Sequence, residues 1–62
     1  MNRETERFTM RYDRFTHVCT VRDHERGGIA RFIDADDLPS KSKLSTLPAQ
    51  DFDALVEALA YA

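Results

Sequence analysis

The chain has 62 residues, a formal net charge of −2 and 42 % hydrophobic residues. A chain this short forms one domain, residues 1–62, and buries only about 60 % of the surface its unfolded form exposes. Its single cysteine, Cys19, excludes an internal disulfide and a cysteine-paired zinc site, and points to a reducing, cytoplasmic setting.

No apolar run reaches the roughly 20 residues of a membrane span, and the charged start MNRETERFTM reads as soluble sequence. Small domains usually need a supplement to their core, and with disulfide and zinc removed the expectation is a second copy, a homodimer, or a partner protein. Charge divides unevenly along the chain. Residues 1–31 carry all seven arginines and a net +2, whereas residues 32–62 carry −4.

In chain order, ERFTMRYD alternates with period two, so Phe8, Met10 and Tyr12 share one strand face and Arg7, Thr9 and Arg11 the other. A two-residue turn at Asp13–Arg14 pairs Tyr12 with Phe15, and a longer loop is the alternative. FTHVCTVR then adds His17, Cys19 and Val21 to the Phe8 face and Val18, Thr20 and Arg22 to the Arg7 face.

The stretch VRDHERGGIARFID reverses the chain, with Gly27 and Gly28 supplying the positive φ that such turns demand. Its third strand is expected to point Phe32 inward, leaving Ile29, Arg31 and Ile33 on the outer face with Val18. Residues 35–47 read as a connector pinned by Leu38, Leu44 and Leu47. Pro48 opens a helix whose Phe52, Leu55, Val56 and Leu59 recur at i, i+3, i+4 and i+7. The fold class is α+β: a three-stranded antiparallel meander packed on one C-terminal helix, βββα.

Candidate chemistry is sparse. His17, Cys19 and His24 have metal-ligating side chains but no established spacing. The acidic run DADD resembles a piece of a calcium loop without its glycine and distal glutamate. ERGG lacks the helix and lysine of a phosphate cradle. A thiol, an imidazole and a carboxylate occur near one another, but a unit of this size walls off no deep pocket. The reading therefore assigns no catalytic residue, metal or cofactor.

The remaining feature is an arginine-bearing sheet face. Arg7, Arg11, Val18, Arg22, Ile29, Arg31 and Ile33 form the expected partner-binding surface of a small, non-enzymatic regulatory or inhibitory protein of bacterial or phage type. The βββα order also resembles, in topology alone, the plant AP2-type and phage-integrase arm domains that lay a sheet in the DNA major groove. That resemblance implies the alternative, nucleic-acid binding through the same arginines. The absent tryptophan, the long connector and the negative net charge depart from it, and no functional residue is carried over.

Overall fold

The computed structural model describes residues 1–61. Four strands, β1 (Asn2–Glu4), β2 (Phe8–Asp13), β3 (Val18–Asp23) and β4 (Ala30–Asp34), form one antiparallel sheet in the order β1-β2-β3-β4. Two helices follow, α1 (Lys41–Thr46) and α2 (Ala49–Ala60). The α+β class and the C-terminal helix agree with the sequence. The sheet has four strands rather than three, because the polar segment Asn2–Glu4 pairs with β2 through Arg3↔Met10.

One sheet face carries the core. Phe8 and Met10 of β2, Cys19 and Val21 of β3, and Ile33 of β4 pack against Leu44 of α1 and Phe52 and Val56 of α2. A twelve-residue helix is marginal alone in water, so its Phe52–Val56 stripe is what holds α2 in place. Leu55 packs at the rim of the core, and Leu59 lies 37 % exposed at its edge.

The β2–β3 connection is the longer of the two expected forms. Tyr12 pairs with Cys19 instead of Phe15, and Arg14–His17 loop outward, with His17 at φ 57°. This register differs from the tight-turn version by four residues. Because four is even, each paired side chain keeps its face, and Cys19 and Val21 still meet Phe8 and Met10, whereas His17, expected on that face, lies in the loop.

The expected faces of β4 are inverted. Cys19↔Ile33 and Val21↔Arg31 put Ile33 in the core at 4 % exposure, whereas Phe32, opposite Thr20, is 69 % exposed. Turning Phe32 inward would also turn Asp34 inward, and burying an unpaired carboxylate costs more than exposing one phenyl ring. Asp34 instead accepts the Asp36 amide at 2.9 Å and caps a 3-10 turn, Ala35–Asp37.

The expected connector 35–47 is folded. After that turn, Ser40 Oγ accepts the Lys43 amide at 3.2 Å and starts α1, whose one buried residue is Leu44. Thr5 closes the opposite corner: its hydroxyl accepts the Phe8 amide at 3.0 Å and donates to Asp53 of α2 at 2.7 Å. Among the described residues, no helix is long and apolar enough to cross a membrane.

Ile33→Ala and Phe32→Ala separate the two β4 orientations. Ile33→Ala is expected to cost about 2–5 kcal/mol through loss of core packing, and Phe32→Ala no more than about 1 kcal/mol. Urea denaturation of both variants measures this, and the reverse ranking would refute the β4 register.

Candidate functional site

Among the described residues, no element covers the sheet face turned away from the helices. Paired residues in an antiparallel sheet share a face, so the register places Glu4, Thr9, Arg11, Asp13, Val18, Thr20, Arg22, Ala30, Phe32 and Asp34 on this side. A shallow depression crosses it between Glu4, Arg11, Asp13 and Arg22. Phe32 stands beside it, and Ile29, 71 % exposed, lies at the β3–β4 turn.

Of the residues expected at the binding surface, the structure gathers Arg11, Val18 and Arg22 on this face, with Ile29 at its margin. Phe32, expected inside, joins them. Ile33 is corrected to the core. Arg31 shares the register position of Val21 on the helix side, where its guanidinium lies 5.1 Å from the centre of the Tyr61 ring. Arg7 is also removed from the open face, into an ion cluster at the α2 end of the sheet.

That cluster is built around Asp23, the one buried charged residue of the described chain. The sequence placed Asp23 in a turn. Its carboxylate in fact caps the 3-10 turn His24–Arg26, accepting the Glu25 amide at 2.8 Å, before Gly27 turns the chain through φ 75°. Arg7 and Arg26 each approach the second oxygen at 3.2 Å. Both arginines then reach Glu57 of α2, at 2.7 and 2.8 Å. Arg7 Nε also lies 3.1 Å from Glu25.

Burial opposes ionisation of Asp23, but the Glu25 amide and the two guanidinium groups outweigh it, holding the carboxyl below its ordinary 3.8. The hydrogen bond from Arg26, with its charge and that of Arg7, holds Glu57 below its ordinary 4.5. Arg7 and Arg26 are correspondingly held above their usual range, Arg7 against the opposing effect of its own desolvation. An open depression lined by Glu6, Arg7, Glu25 and Asp53 lies beside this network, whose own geometry is that of a clamp between sheet and helix.

The arginines are therefore dispersed. Arg3 donates to the Leu44 carbonyl at 2.6 Å and lies 4.5 Å from the centre of the Phe52 ring. Arg14 sits on Phe15 in the loop. Only Arg11 and Arg22 remain on the open face, and Arg22 donates to the Gly28 carbonyl at 2.7 Å. Three carboxylates, Glu4, Asp13 and Asp34, share that face, which is thus of mixed sign.

The three metal-capable residues weighed from sequence do not meet. Cys19 is buried, and burial pushes its thiol up and keeps it protonated. His24 bonds Thr9 at 2.6 Å and the Glu6 carbonyl at 3.0 Å. His17 lies at the other end of the sheet, 2.8 Å from Asp36. Near it a cavity of about 200 Å³ opens between the sheet and α1, walled by Met10, Tyr12, His17, Leu38 and Leu44.

Acid should loosen the clamp. Folded-state values below the ordinary ones mean that Asp23 and Glu57 contribute their stability in full above about pH 5 and lose it as pH falls through and below their ordinary 3.8 and 4.5. The melting temperature is expected to drop over that interval, whereas Asp23→Asn melts lower at neutral pH and shows a shallower acid limb. Parallel curves for the two proteins would remove Asp23 from the acid response.

No protein-family model matches the chain, and neither a curated protein nor a solved structure shows a significant match to it.

Proposed function

We propose that this chain is a non-enzymatic binding protein that engages another protein through the open face of its sheet. The observation that carries the reading is Phe32, 69 % exposed beside Val18, Thr20 and Arg22 on a face that none of the described residues covers. Aromatic and arginine side chains are the types enriched at the buried centres of interfaces, where they fill pockets and supply forked donors. The partner implied is a folded protein with an apolar recess for Phe32 and carboxylates placed for Arg11 and Arg22. A regulatory or inhibitory role in the cytoplasm, of bacterial or phage type, suits a module whose only offering is a surface. Self-association through β4, which ends the sheet on one side, is a second form of the same proposal.

The nucleic-acid alternative needs a basic stripe. With Arg3, Arg7, Arg26 and Arg31 engaged on the helix side, and Glu4, Asp13 and Asp34 on the open face, the arrangement favours a protein partner.

The test compares wild type, Phe32→Ser and the double variant Arg11→Glu/Arg22→Glu as bait in an extract of the native host, with partners identified by mass spectrometry. The reading expects a stoichiometric protein partner held by wild type and weakened at least tenfold by either variant, with circular dichroism unchanged. Retention of the same partner by both variants would place the interface elsewhere. Binding of DNA or RNA that weakens steeply with salt would instead favour the alternative.

A further inference from the structure

We propose that His17, Asp34 and Asp36 form a binding site for a divalent transition metal of the zinc class, at the sheet end opposite the arginine clamp. The imidazole and two carboxylates offer ligand atoms all within 4.8 Å of one another. In tetrahedral coordination at about 2.1 Å, ligand atoms stand roughly 3.4 Å apart. The 2.8 Å between His17 Nε2 and Asp36 Oδ1 and the 4.8 Å limit bracket that spacing, so side-chain rotations alone can close the site.

The donor set selects the class of metal. Calcium and magnesium favour all-oxygen shells, whereas an imidazole nitrogen with carboxylates suits zinc and its transition-metal neighbours. Two carboxylates and a neutral imidazole around a dication give a site of zero net charge. Among the described residues neither Asp34 nor Asp36 pairs with a lysine or arginine, in contrast to the fully paired Asp23 at the other end.

The surroundings orient the ligands. Tyr12 places its hydroxyl 3.3 Å from His17 Nδ1 and its ring edge-on to the imidazole, leaving Nε2 toward the carboxylates. The Ala35 amide donates to the His17 carbonyl at 3.1 Å, and the Asp36 amide to Asp34 at 2.9 Å, so two chain segments are tied together behind the three ligands. Three protein ligands leave one coordination position for water or an external donor. His17 and Tyr12 also wall the 200 Å³ cavity, so an apolar recess lies beside the imidazole.

Isothermal titration of the full chain with zinc chloride, in excess magnesium, tests the site. One zinc per chain is expected, with the melting temperature rising by about 10 °C or more at ~100-fold excess over Kd. Nitrogen-15 spectra should show the metal on His17 Nε2. His17→Gly suits the φ of 57° at this position and should fold while weakening zinc at least tenfold, as should Asp36→Asn. Cys19→Ser and His24→Ala should bind as wild type does. The site is overturned by no heat and no thermal shift at ten equivalents of zinc, or by binding that survives His17→Gly. Half an equivalent per chain would likewise replace it with a site shared between two copies.

Discussion

Asp23 is a carboxylate without access to water, and the structure around it follows from that fact. An isolated buried charge is expensive, so it must be matched by cations and donors. The amide of Glu25 supplies one donor and forces the 3-10 turn after β3. Arg7 and Arg26 supply the cations, and each has a guanidinium fork wide enough to reach Glu57 as well. The hairpin β2–β3 is thereby joined to α2 by charge at the same end where Phe8 and Phe52 join them by packing. Two of seven arginines are spent on this, which is why the open face is neither basic nor suited to tracking a phosphate backbone.

What the sequence disclosed depends on parity and period. Alternation in Phe8–Tyr12 and Val18–Val21 fixes which side chains share a face, and an even slip in the hairpin leaves that intact. The i, i+3, i+4 recurrence of Phe52, Leu55 and Val56 locates α2 for the same reason. β4 was ambiguous because Ile29, Arg31 and Ile33 compete with Ala30 and Phe32, one aromatic against two aliphatics. The deciding residue is Asp34, a charge that must stay in water. Segments with too few apolar residues to show a period were illegible. Asn2–Glu4 has none, and Lys41–Thr46 has only Leu44, so β1 and α1 exist through pairing and capping rather than through pattern. The grouping of His17 with Asp34 and Asp36 was hidden for a third reason. It depends on where the β2–β3 loop ends relative to β4, a long-range register that local spacing does not encode.

The two ends of the sheet are electrostatically unlike. At the α2 end every buried or half-buried charge has partners, and the chain turns on two glycines held by the Gly28 amide donating to the Asp23 carbonyl at 2.9 Å. At the α1 end carboxylates accumulate around one imidazole, beside an apolar recess. A folding requirement explains the first arrangement, since the buried Asp23 carboxylate must be matched by cations and donors. Capping does not require the second, because Asp34 could cap as asparagine and Asp36 caps nothing, its carboxylate meeting only the exposed His17 ring.

The core also bears on why Phe32 is outside. Eight buried apolar residues are few for a free-standing domain, and a second copy was the expected supplement. The structure supplies another. Arg3 covers Phe52, Arg7 covers Phe8, and Arg26 and Arg31 both lie against Tyr61, which itself stacks on Phe8 at 6.0 Å. Guanidinium groups over aromatic faces contribute attraction, and their methylene stems extend the apolar lining while the charge stays wet. The rim of the core is thus sealed within one chain, by residues a composition count records only as charge. Stability then gives no reason to leave a phenyl ring on the opposite face, where it costs hydration and invites aggregation. An exposed aromatic that folding does not need, set beside Arg11 and Arg22, is the feature on which the proposed partner interface rests.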